Sequence, residues 1–320
     1  MIGYHASHEQ FTPSELLRYA KLAEEAGFTS INCSDHFNPW SERQGQSGFS
    51  FAWLGAAMMN SSLPFGVVCT PGYRYHPAVV AQAAATLAEM FPDRFWMSLG
   101  SGEALNERIT GEKWPLKEER NERLLESSRV IKRLLSGETV THFGRITVEH
   151  AKLYTLPKTP PLVLGAAVTA ETAAWMGSWA DGIITVHRPF EELKEVVNAF
   201  RSNGGQNKPI FLKVQLSYAK TEEEALHGAW EQWRTNIFHS TVLGDLWQVQ
   251  QFDELGKFVQ PEELRQMVRI SSNIQQHIDW IRQDMQLGFE RIILHNVNRQ
   301  QEDFIRVFGE KVLPEVKGRR

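Results

Sequence analysis

The sequence predicts a (β/α)8 barrel, and a doubly wound open sheet is the alternative. Short apolar runs alternate with amphipathic helical patterns along the 320 residues, and eight such strand–helix units follow one another. This alternation is typical of a parallel sheet. Eight units in a chain of this length favour the closed barrel. We therefore expect one domain over residues 1–320, with insertions near residues 137–160 and 238–273.

Composition narrows the class of protein. The chain is 42% hydrophobic and 22% charged, which is typical of a globular protein. Its net charge of −4 is spread without a basic block, so nucleic-acid binding is not expected. Neither a signal peptide nor a membrane span of roughly 18 apolar residues is evident, so we expect a cytoplasmic protein with no membrane partner. Cys33 and Cys69 lie in apolar runs and are predicted to be buried thiols.

The first four units are predicted within residues 1–135. The first helix begins after Thr12, a capping residue, with Pro13 in its first turn. The third strand is an unbroken apolar run, as expected for a buried parallel strand. The predicted strands span residues 2–5, 30–33, 65–70 and 94–99, and their helices span residues 14–26, 52–59, 78–90 and 117–135.

The last four units follow a predicted hairpin at residues 139–148. Their strands are expected at residues 162–164, 182–186, 210–216 and 291–295. The helix after the first of these strands should end at residue 180, and the next should span residues 190–200. The third should begin after residue 221, and the last should span residues 300–312. Thr221 and three following glutamates give a cap and a negative first turn. Residues 238–273 are less regular and precede a helix at 275–287. Their aromatic side chains fit a lid over an apolar substrate, a dimer surface or local packing.

Polar residues follow most of the predicted strands. In a barrel the C-terminal ends of the strands form one face, where catalytic groups lie. Asp35 and His36 are notable because Asp accepts hydrogen bonds and His titrates near neutral pH. With Glu103 they could carry out acid–base chemistry. The full set is His5, Glu9, Asp35, His36, Thr70, Ser101, Glu103, Asn106, Thr169, His187 and His295.

Two further interpretations concern ligands. Small residues at 165–168, before Thr169 and a helix, would let backbone N–H groups approach a phosphate, or they form only a tight turn. A metal site built from His5, His36, His187, His295 and a carboxylate would make the chain a metal-dependent barrel hydrolase. No pair of these residues has the close spacing of metal ligands, so we assign no metal.

Three segments carry a family resemblance. Residues 34–40 (SDHFNPW), 70–83 (TPGYRYHPAVVAQA) and 100–107 (GSGEALNE) resemble the luciferase-like flavin oxidoreductase superfamily. The branch they resemble contains the glucose-6-phosphate dehydrogenases that use coenzyme F420, together with FMN-dependent relatives. The resemblance implies a luciferase-like barrel, hydride transfer between a flavin-type cofactor and a small organic substrate, and a homodimer.

The resemblance also implies roles for individual residues. His36 and Glu103 would form the acid–base pair, and Trp40 and Glu9 would line the substrate side. A cis peptide bond is expected at Val67–Val68, although such a bond costs about 3 kcal/mol. The cofactor would contact Asp35, Val67, Val68, Thr70, Gly102, Asn106, Gly165, Ala166, Ala167 and Thr169.

The motifs do not separate FMN from F420. The acidic tail of F420 would require basic residues at the rim of the cavity. Arg74 and Arg188 are candidates, but few others are evident in the sequence. We therefore favour FMN, with F420 as the alternative.

Overall fold

The computed structural model describes residues 1–316 and confirms the barrel. Eight parallel strands form a ring in the order β11, β1, β2, β3, β4, β7, β8 and β9, and pairing between β9 and β11 closes it. The strands are β1 (Ile2–Ala6), β2 (Ile31–Ser34), β3 (Phe65–Cys69), β4 (Phe95–Leu99), β5 (Val140–Phe143), β6 (Thr147–Ala151), β7 (Leu162–Ala166), β8 (Ile183–Val186), β9 (Ile210–Ser217), β10 (Arg269–Ile270) and β11 (Arg291–Asn296).

The helices surround this ring. They are α1 (Pro13–Glu25), α2 (Ser50–Asn60), α3 (Pro77–Met90), α4 (Ala104–Glu107), α5 (Lys117–Leu135), α6 (Ala170–Gly177), α7 (Phe190–Phe200), α8 (Glu222–Trp233), α9 (Ser240–Asp245), α10 (Val249–Gly256), α11 (Ile274–Met285), α12 (Gln301–Lys311) and α13 (Leu313–Val316). Both α5 and α7 begin and end where the sequence predicts. At the start of α1, Thr12 and Glu15 cap each other's backbone N–H groups, as the capping-box pattern requires.

Two segments interrupt the alternation of barrel strands and helices. The first is an antiparallel hairpin formed by β5 and β6. The second contains α9, α10, a 3-10 turn at Pro261–Gln266 and the short β10. Because β10 pairs with the last two residues of β9, this insertion lies at the end of the barrel where the strand C-termini open.

The inside of the barrel is filled in layers. Side chains two residues apart on a strand face the same way. One apolar layer consists of Trp96, Leu164, Ile184, Phe211 and Ile293. The inward positions two residues further along these strands lie nearer the C-terminal opening, which we call the mouth. Several of them are polar, and they include Ser98, Lys213 and His295.

Two expectations about the interior have different outcomes. Cys33 and Cys69 are buried free thiols, as predicted. The prediction of a cis peptide bond at Val67–Val68 is wrong, because every peptide bond in residues 1–316 is trans. Both residues keep regular pairing with β2 and β4, so the lower-energy trans form already fits the ladder. Within the same residues, none of the helices is long and apolar enough to span a bilayer.

Candidate active site

Hydrogen bonds join the loop after β2 to the loop after β4. The side-chain oxygen of Asn106 accepts hydrogen bonds from the backbone N–H groups of Phe37 (2.9 Å) and Asn38 (3.1 Å). Asn38 in turn donates to the carbonyl of Leu105 at 2.7 Å. Asn106, which we expected to contact the cofactor, thus fastens the two loops together. This places His36 of one loop opposite Glu103 of the other.

His36 lies between two carboxylates. Its Nδ1 atom is 3.1 Å from Oε1 of Glu9, and its Nε2 atom is 4.0 Å from Oε2 of Glu103. The shorter contact fits an ion pair by distance, with angles outside those of a hydrogen bond. The structure therefore brings together the predicted acid–base pair, His36 and Glu103, and the predicted substrate-side residue Glu9. The imidazole of His36 lies between the carboxylates of Glu9 and Glu103.

The two carboxylates are in different electrostatic states. Burial alone would raise the pKa of Glu9, but His36 and hydrogen bonds from the Glu9 backbone and Ser7 outweigh it, so the pKa lies below its usual value. Burial raises the pKa of Glu103, and the opposing effects of His36 and Lys213 only partly offset it. Acid and base roles are commonly divided in this way. Glu9 is thus suited to be a fixed charge and Glu103 to carry a proton.

Glu103 is held for this role by its own turn. It precedes the short helix α4, where a carboxylate could simply have capped the helix. Its Oε2 atom instead accepts a hydrogen bond from Nδ2 of Asn106 at 3.2 Å. A third of its side chain remains accessible, so the group is open to a ligand in the mouth.

Trp40 forms one wall of the site. Its ring meets His36 edge-on, with ring centroids 5.3 Å apart, and meets Phe252 in the same way at 5.3 Å. Phe252 belongs to α10 and is fully buried together with Leu105. The second insertion therefore covers the outer side of Trp40. Of its predicted alternatives, this packing agrees with both a lid and local packing.

The carboxylate of Asp35 is fully engaged with protein groups. One oxygen accepts from the Ser50 hydroxyl at 2.6 Å, and the other forms an ion pair with Arg74 at 2.8 Å. Arg74 also pairs with Glu107 at 3.1 Å, and all three charged side chains are buried. Asp35 thus holds the loop that carries His36. Arg74 is committed to this pair of carboxylates and is not available to a cofactor tail.

The expected ring-binding positions are divided between two sides of the sheet. Val67 packs outside the barrel in the main core, whereas Val68 packs against the inner apolar layer. Thr70 follows β3 and lies beside Gly102, whose φ of +85° requires glycine. A Cβ atom on Gly102 would lie 2.9 Å from Thr70 Cγ2. Val68, Thr70 and Gly102 therefore lie on the mouth side, and Val67 does not.

The expected phosphate loop is partly committed to the barrel. The N–H groups of Gly165 and Ala167 donate to carbonyls of Gly182 and Ile184. Gly165 is small because a Cβ atom there would lie 2.3 Å from Sδ of Met176. Thr169 caps α6 by accepting from Thr172 N–H at 3.2 Å. Ala166 faces the inner layer. Because the N–H groups of Gly165 and Ala167 are already used, an anion at this site would have to be held by N–H groups after Ala167.

The proposed histidine metal site does not form. The rings of His5 and His295 touch, with centroids 4.3 Å apart, but burial keeps both pKa values well below the ordinary value, with a contribution from the Lys213 charge. Burial also lowers the pKa of His187, to about 3. Within residues 1–316, no three His, Cys, Asp or Glu side chains are grouped to hold a metal ion.

Sequence reasoning missed Lys213. It lies in β9 and faces the inside of the barrel, within electrostatic range of Glu9 and Glu103. The signal was available, because a single lysine interrupts the otherwise apolar start of that strand, Ile210 to Val214. A charge inside a buried strand is unusual unless other groups compensate it.

The profile of the luciferase-like monooxygenase family matches residues 2–291. The chain belongs to this family. It is 34% identical to the F420-dependent glucose-6-phosphate dehydrogenase of Microbacterium testaceum, over 99% of this chain and 97% of that protein. It is also 34% identical to the enzyme of that name from Nakamurella multipartita, over 98% and 96% of the two chains.

Solved structures of luciferase-like proteins have the same architecture. An F420-dependent secondary alcohol dehydrogenase in complex with an F420–acetone adduct has a TM-score of 0.91 and 25% identity, with 99% of each chain covered. The coenzyme F420-dependent tetrahydromethanopterin reductase of Methanopyrus kandleri has a TM-score of 0.79 at 17% identity over 99% of each chain, which is a likeness of fold alone.

These comparisons confirm the predicted superfamily. This luciferase-like protein is an oxidoreductase that uses a flavin-type cofactor. They give no support to the metal-dependent hydrolase. They also favour F420 over FMN, against our preference from the sequence. That preference rested on the scarcity of free basic residues at the rim.

Proposed function

We propose that the chain is a coenzyme F420-dependent dehydrogenase that interconverts a small alcohol and its carbonyl compound. The observation that carries the proposal is the position of His36, between the ionised Glu9 and the more basic Glu103. The names of the relatives and of the 25%-identical structure support F420 as the cofactor. FMN is the second candidate, because the sequence motifs fit both ring systems.

The mouth offers a surface suited to a flat ring. Small residues follow three neighbouring strands, and a Cβ atom on Gly100 would lie 3.8 Å from Cβ of Ala166 and 4.0 Å from Oγ1 of Thr70. The Ser98 hydroxyl, on the mouth side of the inner apolar layer, is buried and lacks a hydrogen-bond partner among the described residues. A patch of small side chains beside an unused polar group fits a planar ring with polar edges.

The protein residues would manage the protons of the reaction. F420, when bound, supplies a two-electron hydride acceptor or donor. His36 is placed to take the proton of a substrate hydroxyl as the C–H hydride leaves, and Glu9 stabilises the imidazolium formed. Burial raises the pKa of Glu103, so of the two carboxyl groups it is the better suited to exchange a second proton. Trp40 would orient the substrate beside His36 and exclude water.

An uncharged alcohol fits this mouth better than a sugar phosphate. A phosphate group is normally held by free arginine or lysine side chains. Arg43 pairs with Asp253 at 2.9 Å, and Arg120 pairs with Asp245 at 2.9 Å. Arg74 is committed to Asp35 and Glu107. The charges of these arginines are therefore already balanced by protein carboxylates, and the charge of Lys213 faces Glu9 and Glu103.

A binding and turnover experiment tests the proposal. Purified protein would be titrated with F420 and with FMN, and F420 reduction would be followed with 2-propanol and with glucose 6-phosphate. We expect F420 to bind more tightly and 2-propanol to be oxidised. Binding of FMN alone would overturn the cofactor assignment, and turnover of glucose 6-phosphate alone would overturn the substrate class. Treatment with a chelator should leave the activity unchanged.

A homodimer and a cytoplasmic location remain predictions. Exposed apolar side chains near the hairpin support a partner surface there, among them Phe143 and Tyr154. Sedimentation of the purified protein would test the dimer, since a monomer at all concentrations would contradict it.

A further inference from the structure

Lys213 points into the barrel from the middle of β9. Phe211, two residues earlier, packs inside the barrel against Trp96 with ring centroids 4.9 Å apart, and alternation puts Lys213 on the same side. Pairing with β8 and β11 fixes the strand on both edges. The backbone carbonyl of Lys213 also accepts from His187 N–H at 2.8 Å. The lysine side chain therefore has to extend within the barrel, towards the mouth.

The groups that face Lys213 come from three other parts of the barrel. Two are carboxylates, and none of the ion pairs within residues 1–316 joins Lys213 to a partner within 4.0 Å. Lys213 therefore acts on its neighbours through space, as a charge shared between them. The facing groups are His5 and Glu9 of β1 and its loop, Glu103 after β4, and His295 of β11. His36 after β2 lies between the two carboxylates.

A charge balance explains why this lysine is tolerated. An ammonium group in the interior of a barrel is unfavourable without compensation, even where it is only partly buried, as Lys213 is. Burial does lower the pKa of Lys213, but Glu9 and Glu103 act in the opposite direction. Asp35 does not contribute to this balance, because Arg74 neutralises it. The positive charge of Lys213 is thus set against the two carboxylates that flank His36.

We propose that Lys213 is a positioning residue that balances the charges of Glu9 and Glu103 and thereby sets the pH range in which His36 and Glu103 exchange protons. Its charge favours the ionised form of both carboxylates. Without it, each carboxylate would hold its proton to a higher pH. The kinetic part of this inference rests on the proposed dehydrogenase function, whereas the electrostatic part does not.

The kinetic test compares the pH profile of kcat/KM for Lys213→Met and Lys213→Arg with that of the unchanged protein. Lys213→Met should move the profile to higher pH by about one unit, because an opposite charge nearby lowers a carboxylate pKa by at least that much. Lys213→Arg should restore the profile. Lys220→Met is the control, since Lys220 is an exposed residue paired with Asp303. A lower activity with an unmoved profile would overturn the proposal.

The second test needs no cofactor. Thermal midpoints would be measured at pH 8 for Lys213→Met, Glu9→Gln and the double variant. If the two charges balance each other, the double variant should lose less than the sum of the single losses, and additive losses would overturn the proposal. If Lys213→Met alone does not fold, the double variant decides. A folded double variant supports the charge balance, and an unfolded one refutes it.

Discussion

The Oε1 atom of Glu9 lies 3.1 Å from Nδ1 of His36. This contact leaves the other ring nitrogen to face the mouth, where Glu103 and a substrate can reach it. The imidazole is therefore held from behind by a charge rather than by a neutral hydrogen-bond partner. The state of Glu9 should thus govern both the activity of His36 and part of the stability of the barrel.

Glu9→Gln tests this dependence. We expect kcat to fall about 100-fold, because the charge that stabilises the imidazolium is lost. The folded pKa of Glu9 lies below the usual 4.5. Its stabilising effect is therefore full above about pH 4.5 and is lost as the pH falls through the folded value. Urea denaturation should show the variant weakened at pH 7 and nearly matched to the unchanged protein in acid. An equal loss at both pH values would contradict this.

Glu103→Gln should lower the activity and raise the stability, whereas Glu9→Gln should lower both. We expect kcat to fall by about 10²–10⁴. The folded pKa of Glu103 is raised above its usual 4.5 by burial. The native protein therefore loses stability as the pH rises from about 4.5 to the folded value, and this loss persists at higher pH. The thermal midpoint of the variant should therefore exceed that of the unchanged protein, and more so at pH 8 than at pH 5. Glu112→Gln, at an exposed side chain, is the matched control. A midpoint below that of the unchanged protein at pH 8 would refute the electrostatic interpretation.

Arg74→Met should damage the fold rather than the chemistry alone. It leaves Asp35 and Glu107 as buried carboxylates without their common partner. Removal of one member of a buried ion pair costs about 3–5 kcal/mol of unfolding free energy, which chemical denaturation would measure. The same change at Arg145, a half-exposed residue paired with Glu122, should cost less than about 0.5 kcal/mol. A stable Arg74→Met protein that loses only F420 affinity would instead assign Arg74 to the cofactor tail.

Asp253→Asn should weaken substrate binding. Asp253 accepts hydrogen bonds from the Ser41 hydroxyl (2.6 Å) and Glu42 N–H (3.0 Å), and it joins α10 to the loop after Trp40. Loss of its charge should loosen the cover over Trp40 and raise KM several-fold, with a smaller change in kcat. Asp279→Asn, on the exposed face of α11, should leave KM unchanged. A large fall in kcat at constant KM would show that the cover acts on catalysis instead.

The sequence was sufficient for the barrel and for the meeting of His36 with Glu103. Strand ends in a parallel barrel share one face, so residues far apart in the chain could be placed together without knowing any contact. The same reasoning could not show which polar side chains form ion pairs or hydrogen bonds with each other. The resemblance assigns Asp35 to the cofactor and the sequence offers Arg74 as a candidate for the F420 tail, yet the two side chains pair with each other. Such pairings depend on side-chain directions, which strand periodicity does not determine.

Other differences have equally local causes. The resemblance assigns both Val67 and Val68 to the cofactor. Neighbours on a strand face opposite sides, and only Val68 lies on the mouth side. Gly165 was taken as room for a phosphate, whereas its small size serves the packing of Met176. Lys213 was overlooked because its neighbours are apolar.

The two aspartates that hold the α9–α10 segment differ in their access to solvent. The side chain of Asp245, which pairs with Arg120, is 65% exposed, and that of Asp253, which pairs with Arg43, is 16% exposed. Dissolved ions screen exposed pairs more strongly than buried ones. Added salt should therefore free the α9 end first while the α10 end stays attached. The rate of turnover should then vary with ionic strength even when the substrate carries no charge.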